Sequence, residues 1–120
     1  VTREVAALSL DPKRIHGLLW NPGGASLDRA WLRLGLNADA TIAVVGGAQL
    51  FGLFLDLGYD TFFLSHCRSA AVPGGRLVFP EMDGHPDLTP QDVLKRHRYR
   101  LHAERMLDVA SDTVLEEWTR

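Results

Sequence analysis

The segment Thr41–Leu57, TIAVVGGAQLFGLFLDL, constrains this chain more than any other. Thr41–Val45 is a β-branched run without polar alternation, the pattern of a strand covered on both faces. Gly46-Gly47 ends it, and Gln49–Leu57 reads as a helix closed by Gly58. Two glycines allow a sharp turn and a close ligand approach, because no Cβ stands in the way. The helix then presents the N–H groups of Ala48, Gln49 and Leu50, which lack intrahelical acceptors, toward the turn. With the helix dipole, those donors suit a diphosphate. Taken alone, the pattern more often marks a plain tight turn. The G-x-G-x-x-G fingerprint is absent, and so is the Gly-Lys-Ser/Thr of a P-loop.

The flanking segments extend the pattern. Tyr59–His66 is β-prone, so Thr41–His66 reads as strand–helix–strand, which normally makes a right-handed parallel crossover. Upstream, a β-prone Val1–Leu8 runs into a polar loop, Ser9–Arg14, and Ile15–Trp20 reads as a strand ended by Asn21-Pro22-Gly23-Gly24. Ser26 is placed to cap a helix whose stripe is Leu27, Ala30, Trp31 and Leu34, with Gly35 beyond its end. Downstream, Ala70–Gly75 is a turn-rich loop, Leu77–Phe79 a short extended piece stopped by Pro80, and Asp83–Leu88 another loop. Thr89-Pro90 supplies the cap and first position of a helix over Gln91–His97. Tyr99–Val109 and Thr113–Trp118, joined by Ala110-Ser111-Asp112, read as an antiparallel hairpin. Residues 1–120 are expected to form one α/β domain, mostly parallel early and antiparallel at its end.

Composition removes several classes of function. The 120 residues carry a formal charge of −2, so no global field recruits nucleic acid or an acidic membrane. No apolar run approaches the roughly 20 residues of a spanning helix, and the N-terminal stretch has no signal-peptide layout. A lone cysteine, Cys67, excludes an intrachain disulfide and fits a reducing compartment, so a cytoplasmic location is expected.

Other chemistry-bearing residues have plainer explanations. His66 and Cys67 are adjacent on a strand and point to opposite faces, so a buried structural thiol is expected, not a nucleophile. His16, His66, His85, His97 and His102 stand at no recognised metal spacing. Glu116-Glu117 reads as a solvated edge, and Lys95-Arg96-His97-Arg98 with Arg100 and Arg105 as a solvated helix end whose charge nearby acids offset. Trp20, Trp31 and Trp118 read as packing residues.

The ordered set of segments resembles the dihydrofolate reductase family over nearly the whole chain. VVGGAQLFGLFLDLGYDTFFLSHCRS is similar to its Gly-Gly turn, helix and following strand, PGGRLVFPEM to its loop ending in Phe-Pro, and the hairpin ending VLEEWTR to its last two strands. VTRE at the start resembles a strand end and turn facing the adenosine of the cofactor. The resemblance implies a three-layer α/β fold and NADPH-dependent reduction of 7,8-dihydrofolate to tetrahydrofolate. It implies cofactor contacts from Gly46, Gly47, Ala48, Gln49, Leu50 and Phe51, the last where the family often has Tyr. It places Thr2 and Arg3 at the adenosine 2′-phosphate, Val45 at the pterin amino group, and Ser65 where the family has a Thr in the substrate site.

Two departures accompany the resemblance. Gly75-Arg76-Leu77 stands where many members have Gly-Asp-Thr. The family's first strand, mobile loop and catalytic-carboxylate helix match nothing in the chain. No catalytic residue is therefore expected within it, and the isolated chain is expected to be inactive. In the family that first strand lies between the strands matching Thr41–Val45 and Tyr59–His66. The slot is therefore expected to stand open, or to be filled by a missing segment or a swapped copy. Within the same fold, the reductase of riboflavin biosynthesis, acting on a ribosylated aminopyrimidine, is the alternative; a non-catalytic nucleotide-binding module is another.

Overall fold

The computed structural model describes residues 1–71 and 73–120; Val72, inside the expected Ala70–Gly75 loop, lies outside the described residues. The described chain is mixed α/β, with two antiparallel sheets and three α-helices, and divides into two compact units, Val1–Ala43 and Val44–Arg120. No helix among the described residues is long and apolar enough to cross a membrane.

In the first unit β1 (Leu8–Leu10) pairs antiparallel with β2 (Leu18–Trp20), Leu8 opposite Trp20. The expected strand Ile15–Trp20 is thus shorter, and part of the expected loop Ser9–Arg14 is strand. The turn between them is the cause. Asp11 N–H donates to the Gly17 carbonyl (3.0 Å) and Gly17 N–H to the Arg14 carbonyl (3.2 Å), which takes Ile15 out of any ladder and leaves it 94% exposed. Trp20 is buried and its indole N–H donates to the Ala25 carbonyl at 2.9 Å. The Asn21 amide donates to the Val5 carbonyl while its oxygen accepts from Gly23 N–H, both at 2.9 Å. This turn lies so close to the opposing chain that a Cβ on Gly24 would stand 1.7 Å from the Ala6 carbonyl oxygen. Helix α1 (Leu27–Leu34) begins and ends as expected: Ser26 Oγ accepts from Arg29 N–H, and Gly35 takes φ 69°. Of its stripe, Ala30 is buried, Leu27 and Trp31 are half-buried, and Leu34 is exposed.

The second unit runs α2 (Ala48–Leu57), β3 (Phe62–Cys67), a 3-10 turn at Pro80–Met82, α3 (Pro90–Arg96), β4 (Arg100–Asp108) and β5 (Thr113–Thr119). Its sheet has the order β3-β5-β4, antiparallel throughout. Central β5 alternates strictly: Val114, Glu116 and Trp118 are buried, and their neighbours half-buried. Leu55, Phe62, Leu64, Phe79, Val93, Leu94, Tyr99 and Trp118 form one core. Phe62 lies at its middle, with the rings of Phe51, Tyr59 and Phe79 at centroid distances of 5.7, 5.1 and 5.3 Å.

Helix α3 is bounded by strong local signals. Thr89 and Asp92 exchange side-chain-to-backbone bonds of 3.1 Å in a capping box, with Pro90 at the first position. The Thr89 bonds hold the Asp92 carboxyl below its ordinary range. At its end Tyr99 N–H donates to the Leu94 carbonyl and Arg98 N–H to the Lys95 carbonyl, the double bond pattern of a Schellman cap. The left-handed position in that cap is Arg98, at φ 68°. Glycine is the usual occupant, and a side chain there costs about 1 kcal/mol.

The C-terminal hairpin forms as expected, but the parallel part does not. Thr41–Val45 is no strand, so the expected crossover reduces to the Gly-Gly turn, α2 and β3. A strand buried on both faces needs ladder partners, and among the described residues none flanks this segment. Ile42 and Val45 accordingly stand 40% and 89% exposed. Strand β3 pairs with β5 alone, and its other edge has no partner among the described residues. With Thr41–Val45 outside any strand among the described residues, the two strands expected to flank a slot are not both present.

Two substitutions test these packing relations. Gly24→Ala is expected to lower unfolding free energy by about 2 kcal/mol, since the added Cβ meets backbone and not a yielding side chain. Tyr99→Phe removes the hydroxyl that accepts from Tyr59 N–H at 2.7 Å and is expected to cost about 1 kcal/mol. Urea unfolding of both variants beside the parent checks each value.

Candidate functional site

The turn before α2 is built from glycine for a conformational reason. Gly46 has φ 115°, a region that L side chains rarely adopt, and the Gly46–Gly47 peptide is cis. Gly47 caps α2 with no side-chain hydrogen bond, and its carbonyl accepts from Phe51 N–H at 2.9 Å. The first-turn donors of Ala48, Gln49 and Leu50 are thus left without a side-chain acceptor, and no acidic residue stands in that turn. A Cβ at Gly47 would meet nothing within 4 Å, so the space over the helix start is open. The chemistry offered is that of an anion cradle: backbone donors, a positive dipole end and no side chain in the way.

Phe51 borders this start. Its ring lies 3.4 Å from where a Gly46 Cβ would stand and packs edge-on against Phe62. Its carbonyl accepts from the Tyr59 hydroxyl at 3.1 Å, and Tyr59 N–H donates to the Tyr99 hydroxyl. A chain of two hydrogen bonds therefore ties the first turns of α2 to the core. Burial, with Tyr99 beside it, pushes the Tyr59 hydroxyl up to about 12.

The other residues implied by the resemblance are more scattered. Val45 is exposed just before the turn. Ser65 pairs with Leu115 and lies on the same sheet face as Phe63, opposite the face of Phe62 and Leu64 that packs into the core. It makes no side-chain hydrogen bond among the described residues, and the structure does not join it to Phe51. In the first unit, Thr2 N–H donates to the Trp20 carbonyl at 2.8 Å and Thr2 Oγ1 accepts from Glu4 N–H at 3.1 Å; Arg3 is exposed.

A second polar cluster escaped the sequence. Glu116 is no solvated edge: it is 6% exposed and accepts from the Trp118 indole (3.0 Å) and the Gln91 amide (3.3 Å), with His66 Nε2 at 3.1 Å. Glu117 faces the other way, as the alternation requires. The signal was present in Val114-x-Glu116-x-Trp118, which puts the carboxylate on the same strand face as two apolar residues. A carboxylate there must find donors, and three elements supply them. His66 and Cys67 do point apart. The thiol is half-buried and donates to the Ser111 carbonyl at 2.7 Å; hydrogen bonds from Ser69 lower its pKa from the ordinary value. His97 sits between Glu81 and Asp56.

Compared with family models, curated proteins and solved structures, the chain finds no match.

The raised Tyr59 value has a consequence for pH. Its folded-state value lies above the unfolded value of about 10, so its contribution is intact below pH 10 and is lost as pH rises toward 12. The difference in unfolding free energy between parent and Tyr59→Phe is expected to shrink over that window and not below it. Denaturant titrations from pH 8 to pH 12 measure it.

Proposed function

We propose that this chain is the cofactor-binding part of a dihydrofolate-reductase-like, NADPH-dependent enzyme that reduces 7,8-dihydrofolate to tetrahydrofolate in the intact protein. The observation that carries the proposal is the uncapped start of α2 behind Gly46-Gly47, whose free donors and open approach fit a diphosphate. NADPH, when bound, supplies the hydride. Ala48, Gln49 and Leu50 bind the diphosphate through their N–H groups, and the Phe51 ring bounds the adjoining nicotinamide space. Val45 offers its carbonyl to the pterin amino group and Ser65 a hydroxyl to the substrate site.

The open edge of β3 supports the same proposal. A reductase of this kind needs a central strand and a carboxylate-bearing helix from a segment outside these residues, and a β3 that pairs with β5 on one edge alone is compatible with that need. The carboxylate supplies the proton relay to the pterin, so the chain alone is expected to lack turnover.

Gln49→Glu separates the cradle from a plain turn. The substitution is isosteric, and a carboxylate in the first turn adds a few tenths of a kcal/mol to the helix. It also sets a negative charge against a bound diphosphate. The expected outcome is unchanged or slightly higher thermal stability with NADPH binding weakened about tenfold, read by fluorescence titration of the full-length protein. Unchanged NADPH affinity in this variant would remove the cradle. The same full-length protein is expected to oxidise NADPH with dihydrofolate; oxidation with a ribosylated aminopyrimidine alone would move the assignment to the riboflavin branch.

A further inference from the structure

A groove of about 750 Å³ lies at the end of the β4–β5 pair, lined by Arg98, Arg100, Leu101, His102, Thr119 and Arg120. Its volume is in the range of small-molecule sites. Three of its six residues are arginine, one is histidine, and none is acidic. Among the described residues no carboxylate lies within ion-pair distance of Arg98, Arg100 or Arg120. Glu117, two residues along β5 from Thr119, does not line it. Three arginines at one groove concentrate positive charge there, which a bound anion would offset.

The backbone shapes this groove at two irregular points. Arg98 holds the left-handed position of the α3 cap, where glycine is the relaxed choice. A register shift in the β4–β5 ladder between Leu101 and Ala103 leaves His102 out of the pairing. Bulges of this kind re-aim a side chain. The chain thus departs from regular geometry twice in five residues, each time at a residue lining the groove. Arg120 is oriented from behind: its guanidinium lies 5.2 Å from the Tyr99 ring centroid, Nε donates to the His97 carbonyl and Nη2 to the Leu55 carbonyl. Those partners are neutral, so its charge remains available to a ligand.

We propose that this groove binds the di- or triphosphate group of a small molecule. Arg98 and Arg100 supply charge-assisted donors from the α3–β4 side and Thr119 a hydroxyl, while Arg120, just beyond β5, adds positive charge. The site is separate in its residues from the start of α2 and does not depend on the reductase proposal.

The test uses sodium tripolyphosphate as probe, titrated calorimetrically into the full-length protein at low ionic strength, with chloride as control. Parent protein is expected to bind at submillimolar concentration. Arg98→Gly relieves the left-handed position, so it is expected to keep or raise the melting temperature while weakening tripolyphosphate at least fivefold. Arg100→Gln, at an exposed strand position, is expected to weaken it similarly. Gln49→Glu is expected to remove only tripolyphosphate bound at the start of α2 and to leave the arginine-dependent binding unchanged. Undiminished affinity in both arginine variants, or loss confined to Gln49→Glu, would overturn the site. So would binding of a mixed-sequence RNA dodecamer far tighter than tripolyphosphate, which would assign the surface to nucleic acid.

Discussion

The second unit depends on a single strand being satisfied on both of its edges and on one of its faces. Strand β5 takes hydrogen bonds from β3 and β4, and its inward residues Val114, Glu116 and Trp118 stand in the core. Glu116 makes that arrangement demanding. A carboxylate among buried apolar groups is tolerated only where donors converge on it, and they arrive from β3 (His66), α3 (Gln91) and β5 itself (Trp118). The same contacts fix where α3 sits against the sheet. Its Schellman cap then leads Tyr99 into the core, where the hydroxyl holds Tyr59 and, through Tyr59, the first turns of α2. The geometry at Gly46-Gly47 is therefore downstream of the packing around β5.

Local signals in the sequence predicted local structure well. Ser26 and Gly35 bracket α1, Thr89-Pro90 starts α3, and the hairpin spans the expected segments, because caps and turns are decided by residues a few positions apart. What failed was pairing. The Thr41–Val45 run has the composition of a buried strand, but composition cannot supply a neighbour, and without one the run lies outside any strand and mostly exposed. In the first unit β2 falls inside the expected strand Ile15–Trp20, but its partner β1 falls partly in an expected loop, because three residues are too few for alternation to show.

The candidate site was legible in the same uneven way. The cradle at α2 is local and follows from two glycines and a helix start. Ser65 and the Thr2-Arg3 pair depend on how distant segments meet, which spacing along a chain does not specify. Glu116 and Glu117 do face apart, as adjacent strand residues must, and Val114 and Trp118, two residues to either side of Glu116, decide that Glu116 is the one that joins the apolar face. The arginine groove is likewise non-local, joining residues 98–102 to 119–120 through the register of β4 on β5.

The bare edge of β3 also sets terms for whatever lies along it. Every second residue of Phe62–Cys67 turns its backbone N–H and C=O away from β5, so the edge is a template with its own selection rule. A strand that docks there has one side facing the layer of Phe62 and Leu64 and the other beside Phe63, itself 59% exposed. An alternating segment meets both terms, with apolar residues toward the layer of Phe62 and Leu64 and polar ones on the exposed side of Phe63 and Ser65. The edge therefore selects a docking segment by its pattern of residues before any specific side-chain recognition begins.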